Sequence, residues 1–253
     1  MTLVHRLHDP NFTIPDWLYN SLGLRNPRKT ESLQPFYDFI FHEAKDVPGD
    51  IAEFGVFRGD SLLSTGLLLL RLGIRKTVYG FDTFSGFPAL HANDDPTKFE
   101  WMRLTGAMSE RHLEAVQMLR EAQALGLYKQ HRFDSTSELL VRERVAKLNL
   151  PNIELLPGEF RESVGQLPAN VRFCAVLMDC DLYDSYHDTL PSAWERLSPG
   201  GIIYLDEYFS LKYPGARIAI DEFCRSVGVV PERVLAYAEP GEFERWYLRK
   251  PRT

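Results

Sequence analysis

The sequence predicts one α/β domain: a seven-stranded, mostly parallel sheet with helices on both faces. Three observations lead there. The chain has 253 residues, 44% of them hydrophobic and 25% charged, an ordinary globular composition that can bury one large core without splitting. From about residue 50 onward, short apolar runs alternate with longer segments of helical period, which is the mark of βαβ units. One polar stretch, 86–134, breaks that alternation, and an insert of this size in a compact domain is usually a functional cover.

The strand candidates are Ile51–Phe54, Val78–Phe81, Ile153–Leu156, Ala175–Met178, Ile202–Leu205, Val234–Tyr237 and Trp246–Arg249. Apolar positions three to four apart predict amphipathic helices over Ser61–Leu72, Tyr183–Leu197 and Ala216–Ser226, one after each of the first, fourth and fifth strands. A further helix is expected at Ser109–Ala124 inside the insert. Residues 1–48 contain Pro10, Pro15, Pro27, Pro35 and Pro48, so irregular chain with two short helices is expected there, packed over the ligand side of the domain.

A net charge of −6 with scattered Lys and Arg argues against a nucleic-acid-binding surface. The first ten residues lack the apolar core of a secretory signal, and Leu62–Ile74 is too short to span a bilayer and contains Arg71. A cytoplasmic protein with no membrane partner is therefore expected; a homo-oligomer is compatible with the sequence but not written in it. Cys174, Cys180 and Cys224 form no CxxC pair and no zinc spacing with the histidines, so they read as core thiols.

The first strand runs into Glu53-Phe54-Gly55-Val56-Phe57-Arg58-Gly59-Asp60-Ser61, directly before a helix. Dinucleotide sites use GxGxxG at this turn because a pyrophosphate needs close backbone amides. The pattern here is ExGxxxGxS, with fewer glycines and an acid entering the turn. It suits a ligand with a positive charge and no pyrophosphate, and S-adenosylmethionine has both properties. Asp60 and Ser61 also fit as helix caps. The second strand ends at Asp82, where a carboxylate can take two hydrogen bonds from ribose hydroxyls or simply form a turn.

The fourth strand enters Asp179-Cys180-Asp181 and the fifth enters Asp206-Glu207. If the two are parallel neighbours, Asp179, Asp206 and Glu207 converge. Carboxylates that close take up protons unless a cation balances them, and hard oxygen donors select Mg²⁺, Mn²⁺ or Ca²⁺ over zinc. Each acid alone is more often a helix cap or turn residue, whereas two clusters at adjacent strand ends favour a metal.

These stretches resemble the macrocin O-methyltransferase (TylF-like) family. The resemblance rests on Gly49–Gly59, Gly80–Pro88, Asp179–Ser185 and Leu197–Gly201 through Asp206-Glu207-Tyr208, and less closely on Gly158–Pro168. It implies a Rossmann-like class I methyltransferase fold and an S-adenosylmethionine- and Mg²⁺-dependent (or Mn²⁺-dependent) enzyme. The acceptor it implies is a sugar hydroxyl of a glycosylated natural product or oligosaccharide. Carried over by position, it implies cofactor binding at Glu53, Gly55, Gly59, Ser61, Asp82 and Ser85, metal ligands Asp179, Asp206 and Glu207, and general base Asp181. Glu207 departs from the family, which usually carries a second Asp there.

His187, His91, His112 and His131 are further candidate bases, though a lone imidazole is more often packed or on the surface. Trp101, Met102 and Met108 could line a pocket or simply pack a lid helix. Two rivals share parts of this pattern. A nicotinamide-dependent reductase would share the fold and Asp82 but would normally show GxGxxG, and a catechol-type methyltransferase would share fold and metal.

Overall fold

The computed structural model describes residues 2–128, 136–234 and 244–252. The predicted apolar runs become β1 (Asp50–Phe54), β2 (Val78–Asp82), β3 (Ile153–Pro157), β4 (Phe173–Met178), β5 (Leu197–Leu205) and β7 (Trp246–Arg249), with a two-residue β6 (Glu232–Arg233) at the edge. They form one sheet in the order β3-β2-β1-β4-β5-β7-β6. The first five are mutually parallel and the last two pair antiparallel. The order reverses between β1 and β4, and in open α/β sheets ligands bind outside the carboxyl ends of the strands at that point.

Side chains of a strand alternate between the two faces of the sheet. Ala52 and Phe54 enter one buried cluster with Tyr186, Ala216 and Ile220. Ile51 enters the other with Phe36, Ile40, Leu62 and Leu69. Helices α9 (Tyr183–Arg196) and α10 (Gly215–Val227) thus cover one face, and α3 (Gln34–His42) and α4 (Asp60–Leu72) the other.

Of the N-terminal segment, α1 (Leu3–His8) and α2 (Asp16–Ser21) place Leu7 and Leu18 against Leu63, Leu67 and Leu148, on the flank of α4. Arg71 of α4 ties this segment down by donating to the carbonyls of Leu7, Asp9 and Phe12, each at 2.7 Å. Among the described residues no helix is long and apolar enough to cross a membrane.

Within the insert, α5 (Lys98–Leu104) and α6 (Glu110–Ala124) pack Phe99, Met102, Met108, Leu113 and Val116 against Ile218 of α10. The expected helix at Ser109–Ala124 is α6, with Ser109 as its N-cap accepting the His112 N–H at 3.2 Å. Two buried polar groups fasten the insert. Asp94, 1% exposed, accepts the backbone N–H of Tyr183 at 2.9 Å and that of His91 at 2.9 Å. His112 Nε2 lies 2.7 Å from the Ser210 carbonyl, and its ring stacks on Phe209 with centroids 4.1 Å apart.

Three elements differ from the sequence expectation. Helix α7 (Glu138–Leu148) gave no clear periodic signal because it buries only Val141 and Leu148. The sixth strand occupies Glu232–Arg233 ahead of the expected Val234–Tyr237; Val234 N–H still reaches the Arg245 carbonyl at 2.9 Å, while 235–237 lie outside the described residues. β5 starts at Leu197 and runs through Ser198-Pro199-Gly200-Gly201, ahead of the expected start at Ile202. A register irregularity between Phe173 and Ala175 takes up the proline, and a Cβ on Gly201 would stand 2.7 Å from the Cys174 carbonyl.

Candidate active site

A cavity of about 310 Å³ opens at the switch point, lined by Gly55, Asp82, Asp179, Asp181, Phe160 and Arg25 among others. Three non-glycine residues beside it, Phe57 (φ 51°), Phe84 (φ 53°) and Asp181 (φ 60°), sit in the left-handed region, following β1, β2 and β4. Such strain gathers where a fold fixes groups for a ligand. Asp82 holds two of them: its Oδ2 accepts the Phe57 N–H at 2.7 Å and its Oδ1 the Phe84 N–H at 2.7 Å. The acid at the end of β2 is therefore both a cavity wall and the bracket of two loops.

The glycine turn has a different cause from the one the sequence suggested. A Cβ on Gly55 would stand 1.7 Å from the Asp179 backbone oxygen, so this glycine is required by the approach of β4's end, whatever lies in the cavity. Gly59, at φ +82°, caps α4 in the left-handed conformation and faces Val141. Glu53 lies beneath the turn, 1% exposed, with Oε1 accepting the Ser61 hydroxyl at 2.6 Å and Oε2 buried without a partner among the described residues. Burial pushes its carboxyl up to about 8, against the Ser61 hydrogen bond. Ser61 thus serves Glu53. Ser85 is exposed, and its N–H reaches the Thr83 hydroxyl at 3.3 Å.

Parallel pairing of Met178 with Leu205 sets the next residues, Asp179 and Asp206, at one level. One carboxylate oxygen from each of Asp179, Asp181 and Glu207 lies within 4.8 Å of the others. Asp206 stands beside this trio, and its charge raises the carboxyls of Asp179 and Asp181. The expected grouping was Asp179, Asp206 and Glu207. Asp206 and Glu207 open a 3₁₀ turn (Asp206–Phe209), and a side-chain hydrogen bond between their carboxyls keeps Asp206 next to the trio.

Burial, then mutual repulsion, drives the Asp179 and Glu207 carboxyls well above the ordinary carboxylate range. Burial pushes Asp181 up to about 6, with Asp206 adding to the rise and Lys212 opposing it. The Tyr186 hydroxyl lies 2.5 Å from Glu207 Oε2 and 2.8 Å from the Met178 carbonyl. A phenol has one proton for those two acceptors, so the chain completes itself when Glu207 is protonated and donates to Tyr186, or when a cation takes over the Glu207 charge.

The histidines are engaged elsewhere. His187 is exposed and lies 3.2 Å from Asp188, His91 stacks on Tyr183 with centroids 4.4 Å apart, and His112 is the tether described above. His131 lies outside the described residues. Cys180 lines the cavity, but burial and the surrounding acids hold its thiol well above its usual range, which keeps it protonated. Arg25 and Thr136 reach the cavity from segments with no periodic signal, and Thr136 Oγ1 donates to the Phe57 carbonyl at 2.6 Å. Phe160, the first residue of α8 (Phe160–Ser163), packs edge-on against Phe54 with centroids 5.6 Å apart, from within the weakly matching Gly158–Pro168 stretch.

The model of the macrocin-O-methyltransferase (TylF) family matches residues 16–117 and 115–234. The chain belongs to that family. Among its relatives in this O-methyltransferase family, mycinamicin III 3''-O-methyltransferase of Micromonospora griseorubida is 30% identical over 191 residues, 74% of this chain and 65% of that protein. The chain therefore spans slightly less than two thirds of that relative's length. The 8-demethyl-8-(2,3-dimethoxy-alpha-L-rhamnosyl)-tetracenomycin-C 4'-O-methyltransferase of Streptomyces olivaceus is 26% identical over 201 residues, 79% of this chain and 67% of that one. The crystal structure of the calicheamicin methyltransferase CalS11 superposes with a TM-score of 0.64 at 24% identity, over 97% of this chain and 89% of that one, a likeness of fold.

Proposed function

We propose that this macrocin-O-methyltransferase family member transfers the methyl group of S-adenosylmethionine to a sugar hydroxyl of a glycosylated natural product or oligosaccharide. Asp179, Asp206 and Glu207 would hold a divalent cation, Mg²⁺ or Mn²⁺. The observation that carries this reading is the partly buried carboxylate cluster at the strand-order reversal, beside a cavity whose volume falls within the range of small-ligand sites. Hard oxygen donors this close, with raised carboxyls, fit a divalent cation that would replace the protons. Two relatives whose names place methylation at 3'' and at the 4' position of a rhamnosyl group favour a sugar acceptor.

When bound, the cofactor supplies a methyl group on a sulfonium, and the cation lowers the pKa of a neighbouring hydroxyl. The chain supplies the rest. Asp181, held at φ 60° beside Asp179, takes the acceptor's proton on its carboxylate, and its raised carboxyl suits a base working near neutrality. Asp82 and the Phe57 turn orient the adenosine, and Phe160 offers an aromatic wall. Phe87 and Pro88 line the cavity, so the near end of the 86–134 insert would cover the acceptor while Asp94 and His112 hold its helices. A second assignment, with Asp181 as a metal ligand in place of Asp206, is favoured by the trio of oxygens within 4.8 Å.

Incubation with methyl-labelled S-adenosylmethionine, Mg²⁺ and parallel sets of glycosides, oligosaccharides and free catechols tests the acceptor class. Label should enter the sugars; label entering catechols alone would overturn the sugar assignment.

A further inference from the structure

Arg25 is the one cationic side chain among the described residues lining the cavity, against the carboxylates of Asp82, Glu159, Asp179 and Asp181. Its backbone is fixed. Arg144 Nη2 donates to the carbonyls of Leu22 and Gly23 at 3.0 and 2.6 Å, its Nη1 pairs with Asp60 at 2.9 Å, the Arg25 N–H donates to Ser64 Oγ at 2.7 Å, and Leu24 is buried. The guanidinium enters no ion pair among the described residues, yet its charge lowers the carboxyls of Glu53 and Asp206.

We infer that Arg25 binds the α-carboxylate of the cofactor's methionine moiety, which makes the N-terminal segment part of the cofactor site. The inference rests on the cofactor assignment proposed above. S-adenosylmethionine carries two positive centres, the sulfonium and the ammonium, for which the acidic walls supply partners. It carries one anion. Among the described residues lining the cavity Arg25 alone offers that anion a positive charge, and its planar fork matches a carboxylate in two parallel hydrogen bonds. Arg25 lines the same cavity as Asp82 and Phe160, so a cofactor with its adenosine over those two would have Arg25 as the cationic partner for its amino-acid end.

The test is calorimetric, on the full chain without metal, with S-adenosylmethionine and its decarboxylated analogue, which lacks only the carboxylate. The parent should bind S-adenosylmethionine roughly 10- to 100-fold more tightly than the analogue, as expected of a charge-assisted hydrogen-bonded pair. Arg25→Gln should lose that preference by weakening S-adenosylmethionine while leaving the analogue within about twofold, and Arg25→Lys should recover part of it. Equal weakening of both ligands in Arg25→Gln would mean that Arg25 only shapes the segment, and undiminished S-adenosylmethionine binding would remove it from the site; either overturns the inference. A parent that binds the analogue but gains nothing from the carboxylate overturns the inference and spares the cofactor assignment. A parent that binds neither overturns both.

Discussion

The Asp82 carboxylate accepts the backbone N–H of Phe57 at 2.7 Å, joining the end of β2 to the turn after β1. Its other oxygen holds the Phe84 N–H. Asp82→Ala should therefore cost stability as well as cofactor affinity, about 1–3 kcal/mol for donors left without an acceptor. Asp82→Asn, which keeps one acceptor, should lose less. Urea unfolding beside calorimetric titration separates the two effects; full stability in Asp82→Ala would show that the bracket does not support the turn.

Gly55→Ala should destabilise the fold by more than about 3 kcal/mol, because the new Cβ would meet the Asp179 backbone oxygen and relief requires parting β1 from β4. Gly165→Ala is the control. Nothing lies within 4 Å of its added Cβ, so a change within about 0.5 kcal/mol is expected. Matching unfolding midpoints for the two variants would refute this account of the turn.

Much of this site was legible because it lies at strand ends. Apolar runs located β1, β2, β4 and β5, and the acids following them had to converge once those strands lay side by side. What the runs could not give was direction within a turn: Asp181, with a left-handed backbone, joins Asp179 and Glu207, with Asp206 beside them. Nor could they show contacts made across long separations. Arg25 comes from proline-punctuated chain, and Asp94 reaches Tyr183 across 89 residues. Gly55 looked like a ligand-facing glycine because its sequence context is the same whether a cofactor or a neighbouring strand lies above it.

The metal-free protein should lose stability as pH rises from about 5 to 8. Glu53 is held up to about 8 and Asp181 up to about 6, against ordinary values of 4.5 and 3.8. Between the ordinary and raised values the folded state keeps protons that the unfolded chain has released. Stability then falls with rising pH, by about 1.4 kcal/mol per pH unit for each such group. Thermal melting across this range reads the slope. Glu53→Gln should flatten its upper part, added Mg²⁺ should flatten the cluster's share, and a melting temperature that climbs from pH 5 to 8 would contradict the assignment.

Asp181→Asn keeps shape and removes the proton acceptor, so turnover should fall roughly 10² to 10⁴-fold. Metal and cofactor affinities should stay near those of the parent, as read by Mn²⁺ titration and calorimetry. Loss of metal affinity in step with turnover would make Asp181 a ligand, and turnover within a few-fold of the parent would move the base elsewhere.

The central claim is that the carboxylates at the ends of β4 and β5 work by holding a divalent cation. Its most direct measurement is methyl transfer from labelled S-adenosylmethionine to an accepted glycoside, before chelation, after it, and after restoring Mg²⁺ or Mn²⁺, in the parent and in Asp179→Ala. Transfer should stop on chelation and return with metal in the parent, while Asp179→Ala stays inactive yet still binds S-adenosylmethionine. Transfer that continues at full rate in thoroughly chelated parent protein would contradict the claim.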